Sequence, residues 1–485
     1  MNSWANSGAD LHLELPSGTG VKAALLHALR DAVQSGRLTA GTRLPPARAL
    51  AGDLGLSRNT VAGCYTELAA AGWLVTRQGS GTVVAPVPGV SAPPSARAIT
   101  RRPTYSLMPG APDVSAFPRG DWSTSIRRVL NAAPNDAFGP TDPRGRVELR
   151  IALATYLNRT RGTRAHPQQI VVSASSGHGI TLIARALAGT LAVDAYGLHL
   201  HRKYIADEGV PTVPIAVDEF GTDTEELKST TAKGALLTPA HQFPLGGPMS
   251  ADRRRIAVEW ASHNGCVLLE DDYDGEFRYD RKPVGALQGI APREVAYLGT
   301  VSKTLSPALR LGWMVLPEDL VEPVLDLKGP YERWVSAIDQ LTLADFIESG
   351  KFDRHVRKMR VAYRHRRDRL VDMLTQRLPE LRIEGIAAGL HAVVRLPLGT
   401  ERTVIDAAAK RGLAIEGLST FRHPDASGTL AEGIVVGYST PALSLYSATL
   451  TVLCDAIESV LRQRPSRASR PDSTRTSPAR SSKAP

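Results

Sequence analysis

Cysteine, long apolar runs and acidic charge are all in short supply in this 485-residue chain, and each shortage removes a class of protein. Only Cys64, Cys266 and Cys454 occur, without paired spacing, so neither a disulfide framework nor a zinc cluster is indicated and no metal is expected. No apolar run approaches membrane-spanning length, and Met1 to Asp10 lack the basic-then-apolar order of an export signal. A soluble, cytoplasmic protein without a membrane partner is expected. Acid trails base, 48 against 58, for a net charge of +10. Such a balance points to a polyanionic partner until its location is asked. From Arg462 to Pro485 stand six Arg and one Lys against Asp472 alone, in a Ser/Pro/Arg tail that cannot build a core. The tail reads as a solvated end, with nonspecific nucleic-acid affinity as its other reading.

What the chain does have is concentrated between residues 266 and 312. Cys266-Val267-Leu268-Leu269 is an apolar run of strand length that stops at Glu270-Asp271-Asp272-Tyr273-Asp274. A second run, Val295-Ala296-Tyr297-Leu298-Gly299, stops at Thr300, Ser302 and Lys303. Ligands of open α/β sheets gather where parallel strands end, so the two ends can face one ligand. A lysine amine that forms a Schiff base with an aldehyde cofactor needs a carboxylate to keep the pyridine nitrogen protonated. Asp271 and Lys303 can supply that pair, Tyr273 can hydrogen-bond a ring oxygen, and Thr300, Ser302 and Arg310 offer donors to a phosphate. Taken singly, an acidic run is an exposed face and a lysine beside Ser and Thr is solvated; the combination carries the argument.

Upstream, Thr19 to Ser35 reads as an amphipathic helix ended by Gly36, Ala47 to Leu54 as a second, and a third starts at a Ser57 cap and runs to Gly72. Trp73 to Thr76 and Thr82 to Ala85 then flank a glycine-rich tip, which reads as a hairpin. The order is helix, turn, helix, wing. Ser57, Arg58, Asn59 and Thr60 can reach bases or phosphates from a helix N-terminus in the major groove, while Arg48, Arg77 and Gln78 grip the flanking backbone.

Two resemblances attach to these residues. Glu270 to Tyr279 and Tyr297 to Gly312 closely resemble the pyridoxal 5'-phosphate site of fold-type I aminotransferases, with Asp271, Tyr273, Lys303 and Arg310 on the pyridine-nitrogen, ring-oxygen, Schiff-base and phosphate positions. Leu38 through Gly81, with Leu56-Ser57-Arg58-Asn59-Thr60-Val61 and Gly72-Trp73-Leu74, is similar to the winged helix of GntR-type regulators. That similarity implies DNA contacts at Arg48, Ser57, Arg58, Asn59, Thr60, Gln78 and Gly79; Ala62 falls where some relatives have a contacting Arg. One chain joining both resembles the MocR/GabR regulators, and Thr238-Pro239-Ala240-His241-Gln242-Phe243-Pro244 is specific to them. Free-standing aminotransferases usually have Asn in place of Phe243, which leaves Tyr273 to hold the ring oxygen.

The resulting expectation is an α/β protein. Residues 12–85 form a winged helix-turn-helix and 86–104 a linker. Residues 105–462 form an aminotransferase-like domain with a large, mostly parallel sheet and a smaller C-terminal α/β lobe, and 463–485 are the basic tail. Ser173 to Gly179, with Ser175, Ser176 and Gly177, can cradle a phosphate at a helix N-terminus, although the family places Gly near 175 and Gln near 177 and 178. Leu198 takes the place of a stacking Tyr, with Tyr196 or His199 as substitutes. Directly after Gly437 stand Tyr438-Ser439-Thr440-Pro441, with no Arg among them to take an effector carboxylate; Arg422 is nearby in sequence. The resemblance implies a homodimeric transcription regulator that binds double-stranded promoter DNA under the control of pyridoxal phosphate or an amine or amino-acid effector at Lys303. The alternative is an aminotransferase with an appended winged helix.

Overall fold

The computed structural model describes residues 20–77, 81–86, 103–140, 142–279, 284–329, 335–385, 388–428 and 430–462. Gln78, Gly79, most of the expected linker and the basic tail lie outside them. The chain divides into two compact units, Met1–Arg102 and Pro103–Pro485.

In the first unit, α1 (Val21–Gln34), α2 (Ala47–Leu54) and α3 (Arg58–Ala70) precede a hairpin of β1 (Leu74–Arg77) and β2 (Gly81–Val84). Gly55 ends α2 at φ 65°, a left-handed conformation that costs a residue without Cβ little. Ser57 then starts α3 by accepting the Thr60 amide proton on its hydroxyl. The buried positions Leu25, Leu29, Leu50, Val61, Cys64, Tyr65, Leu68, Leu74 and Val84 form one core, so α3 spends its Val61–Leu68 stripe inward.

The second unit is built on seven strands. They are β3 (Ile170–Ser173), β4 (Leu191–Asp194), β5 (Thr212–Ile215), β6 (Gly234–Leu237), β7 (Val267–Asp271), β8 (Val295–Thr300) and β9 (Gly312–Val315). Their spatial order is β3-β9-β8-β7-β6-β4-β5, and β9 alone runs against its neighbours. Side chains alternate between faces. Val171, Val193, Leu236, Leu269, Leu298 and Met314 pack on one side with Ile180 and Ile183 of α5 (Ser176–Leu187). Val172, Tyr297 and Trp313 pack on the other with Leu149, Leu153 and Leu157 of α4 (Val147–Arg161). Helices on both faces leave the strands near-continuously apolar, as mostly parallel sheets require.

The smaller lobe is a four-stranded antiparallel sheet in the order β10 (Ile383–Glu384), β11 (His391–Arg395), β13 (Gly433–Gly437), β12 (Glu416–Gly417). Val394 and Val436 pack there against the long helix Lys351–Arg377 and the helix Leu443–Leu461. The latter is, among the described residues, the one helix long and apolar enough to cross a membrane, but its Leu450, Leu453 and Ile457 are fully buried in this core. Tyr105–Ser106 pairs in parallel with Leu413–Ala414, and that tie carries the following residues, Gly110 included, over the carboxyl edge of the large sheet.

Candidate functional site

The strand expected to end at Leu269 continues to Asp271, and the acidic run is not an exposed face: Glu270, Asp271, Asp272 and Asp274 are all buried. Buried carboxylates must be paired or hydrogen-bonded, and three of the four are. Glu270 accepts from the amides of Leu287 and Gln288 at 2.9 and 3.1 Å. Asp272 takes a two-pronged bond from Arg161, at 2.6 and 2.9 Å, and the Tyr297 hydroxyl at 2.7 Å. Asp274 Oδ2 lies 2.8 Å from His241 Nδ1.

Asp271 is the exception. Its Oδ1 is buried with no hydrogen-bond partner, and its Oδ2 comes only within 3.6 Å of His201 Nδ1, too far for a hydrogen bond. Burial pushes the Asp271 carboxyl up to about 7, against the pull of Lys303. Burial also drives the His201 imidazole down to about 3, so the ring is neutral and the contact is no ion pair.

Lys303, from the turn after β8, lines the same pocket as Asp271 and Tyr273, and its amine donates to the Gly110 carbonyl. Burial lowers the proton affinity of that amine, opposed by Asp271 and Asp274. A desolvated lysine is the nucleophilic kind, and an unpaired carboxylate oxygen nearby awaits a proton donor. The pocket therefore supplies an amine for an aldehyde and an acceptor for a ring N–H.

The expected site residues separate into two groups. Ser176, Asp271, Tyr273 and Lys303 line the pocket together. The others stand beside it. Ser175 caps α5 by accepting the His178 amide proton at 3.1 Å, and Gly177 is buried in the first turn of that helix. Thr300 donates to the Leu311 carbonyl and accepts the Ser302 amide proton, which folds the turn between β8 and Lys303. Arg310 is exposed at φ 50°, in the left-handed region. Gly312 is required by this geometry, since a Cβ there would fall 2.7 Å from the Ser175 carbonyl carbon.

Leu198 lines the pocket where a stacking ring was expected. Neither proposed substitute does so: the Tyr196 hydroxyl accepts the Ala431 amide proton, and His199 packs on Phe421. Arg422 closes its own loop by donating to the carbonyls of Ala426, Ser427 and Gly428. Sequence reasoning missed Asp194 and His201. Asp194 ends β4 and is the same kind of signal as Asp271; burial raises it to about 6 while Thr222 and Gln242 hydrogen-bond it. His201 lies inside a helix and carries no pattern that points to the pocket.

In the first unit, Ser57, Arg58 and Asn59 are exposed at the N-terminus of α3, Thr60 is partly so, and Arg48 is exposed on α2. Neither arginine is held in an ion pair among the described residues. The positive end of a helix with two unpaired cations suits a phosphate backbone.

Residues 22–84 match the gntR family of bacterial regulatory proteins, and residues 116–424 match the class I and II aminotransferases. The chain is 32% identical over 448 residues to the HTH-type pyridoxine biosynthesis transcriptional regulator PdxR of Corynebacterium glutamicum, covering 90% of this chain and 96% of that one. It is 32% identical over 446 residues to a probable rhizopine catabolism regulatory protein, MocR, of Rhizobium meliloti, covering 86% and 89%. Among solved structures it resembles an archaeal alanine:glyoxylate aminotransferase, with TM-score 0.67 and 23% identity over 73% of this chain and 91% of that one. The α-aminoadipate aminotransferase LysN of Thermus thermophilus gives TM-score 0.67 and 19% identity over 74% and 92%. The cofactor of this fold is pyridoxal 5'-phosphate, and the unpartnered Asp271 oxygen beside Lys303 fits its pyridine N–H. The chain belongs to the MocR-type transcription regulators, in which a gntR winged helix is joined to a class I and II aminotransferase domain.

Proposed function

We propose that the winged helix binds double-stranded promoter DNA and that a small molecule acting at Lys303, either pyridoxal phosphate or an amine or amino acid that reacts with it, alters operator affinity. The observation that carries this reading is the buried Asp271 oxygen left without a partner in the pocket of Lys303. A cofactor held there supplies an aldehyde and an electron-withdrawing ring. Lys303 holds the aldehyde, Asp271 the ring nitrogen and Tyr273 the ring oxygen. Ser175, Ser176, Gly177, Thr300, Ser302 and Arg310 are our assignment for the phosphate. Arg48, Ser57, Arg58, Asn59 and Thr60, with Gln78 and Gly79 of the wing tip, are our assignment for DNA.

An effector shifts operator affinity only by its difference in affinity between two arrangements of the protein. A homodimer would carry two winged helices and read a repeated or palindromic operator. An intact Asp271 and Lys303 also favour transamination as a second reading, and release of a keto acid from amino acids at catalytic rates would support it. The regulator reading is tested by measuring binding to a duplex selected by the protein from a random library, with and without pyridoxal phosphate and a panel of amines. Affinity unchanged under all of them would refute it.

A further inference from the structure

The long helix Lys351–Arg377 of the second unit carries ten Lys and Arg against three Asp. Together with the basic tail it outweighs the net charge of +10, so the remainder of the chain is net acidic. Phe352, Val356, Met359, Tyr363, Leu370 and Leu374 turn one side of this helix into the core. The opposite side has no part in that packing.

On it Arg354, Arg357, Lys358, Arg364 and Arg369 are exposed, with Val361 among them at 59%. Spacings of three, four and seven residues, with His365 completing the series, set them in one stripe over about 22 Å at 1.5 Å per residue.

The pairing of these cations separates the stripe from an ordinary solvated face. Elsewhere exposed helical cations meet an acid one turn away: Lys203 with Asp207, Arg255 with Glu259 and Arg402 with Asp406, at 2.7, 2.8 and 3.3 Å. Arg354 instead has Lys351, Arg357 and Lys358 at those positions. Asp353, one turn from Arg357, is taken by Arg159 at 2.8 Å. Asp368 serves Arg364 at 3.9 Å and Arg367 at 3.3 Å, and the stripe ends at an exposed Asp372. The side chains of Arg354, Arg357, Lys358 and Arg369 make no hydrogen bond or ion pair among the described residues. Like charges a turn apart repel, and a polyanion laid along them removes the repulsion.

The chemistry of the stripe selects among polyanions. A bilayer needs an apolar face to bury, and on this helix that face is already in the core. A single strand needs exposed aromatic rings for its bases to stack on, and the stripe has none. Duplex DNA asks only for guanidinium and ammonium groups to meet its phosphates.

We propose that this stripe binds phosphates of duplex DNA outside the segment that the winged helix reads, so that the aminotransferase-like unit supplies a second, sequence-independent DNA contact. This rests on the DNA-binding reading above. Each phosphate neutralised releases condensed counterions, so the contact shows in the salt dependence of binding and not in sequence preference.

The experiment measures the affinity of full-length protein against salt on two duplexes. One is the shortest that keeps the sequence preference, and the other is the same duplex extended by about two helical turns of unrelated sequence on each side. The variant combines Arg354→Gln, Arg357→Gln and Lys358→Gln, since Gln keeps helix propensity. Wild type is expected to bind the extended duplex about tenfold or more tighter, with a slope of log affinity against log salt steeper by about three. The variant should lose both differences and keep wild-type affinity for the short duplex.

Equal wild-type slopes on the two duplexes, or a variant that retains the difference, overturn the proposal. A loss of equal size on both duplexes, or a change in the variant's mass by light scattering, also overturns it and assigns the stripe to the fold or to an interface between copies. Failure of wild type to bind either duplex overturns the DNA reading itself, and the stripe's role with it. Where the variant does not fold, acetylation of wild-type Lys358, read by mass spectrometry, decides. Protection by the extended duplex but not by the short one supports the contact, and equal modification contradicts it.

Discussion

Asp271 and His201 face each other across the pocket at 3.6 Å without a hydrogen bond between them. The imidazole is neutral and the carboxyl, raised by burial, is at the edge of ionisation. In the cofactor-free protein the site is therefore destabilised whenever Asp271 is charged, and a pyridine N–H relieves it.

The sign of that effect is testable. The folded-state value of Asp271 lies above its ordinary 3.8, at about 7, so the native protein binds the extra proton between those limits. Stability from this group is greatest at low pH and is lost as pH rises through about 7. Asp271→Asn removes the loss. In the cofactor-free state, its melting temperature should gain on wild type as pH climbs from about 4 to about 7 and hold level above. With pyridoxal phosphate added, the order should reverse, because the variant cannot hold a protonated pyridine. A difference in melting temperature that does not change with pH would contradict the assignment.

Arg161 and Asp272 are 5% and 1% exposed and pair beneath the site at 2.6 Å. Removing one partner of a buried pair leaves an uncompensated charge, at a cost of about 3–5 kcal/mol. Arg161→Met should unfold at correspondingly lower denaturant, and Arg161→Met with Asp272→Asn should recover part of the loss. A single variant within about 0.5 kcal/mol of wild type would show that the pair matters little.

The distribution of what was legible follows from distance along the chain. Asp271 and Lys303 could be read because each terminates or follows an apolar strand, a pattern complete within a few residues. The winged helix could be read because its caps and breakers, Gly55 and Ser57 among them, are local. The burial of the acidic run could not. Arg161, which neutralises Asp272, lies 111 residues earlier, and Gly110, which meets Lys303, lies 193 earlier. Neither pairing leaves a mark in periodicity. His201 reaches Asp271 only because the sheet order sets β4 two strands from β7, with β6 between them, so its role was invisible until the strands were ordered.

At the winged helix, backbone grip and base reading fall to different residues. Arg48→Ala and Arg58→Ala should each weaken DNA binding across sequences and reduce the slope of log affinity against log salt by about one. Asn59→Ala should instead relax the sequence preference, costing about 1–3 kcal/mol on the selected duplex and little on others. Salt titrations on both duplexes distinguish the two. An unchanged slope for both arginine variants would remove them from the interface.

Ser57 has a structural part in the same helix. Its hydroxyl accepts the Thr60 amide proton at 3.1 Å, and loss of an N-cap costs about 0.5–2 kcal/mol. Ser57→Ala should lower the stability of the winged helix by that amount, and Ser57→Asp should keep the cap while repelling phosphate. Hydrogen exchange of the amides of α3, beside DNA affinity, would show stability and binding parting in the aspartate variant; a joint loss would contradict this division.

Occupancy at Lys303 is felt at the operator in the function proposed above. Its most direct test is a fluorescence anisotropy titration of the selected duplex, comparing wild type and Lys303→Ala, each cofactor-free, with pyridoxal phosphate, and with pyridoxal phosphate plus a panel of amines and amino acids. Wild-type affinity should change several-fold in at least one condition, about 1 kcal/mol or more of coupling, with no change in Lys303→Ala. Equal affinity of both proteins under every condition would contradict it.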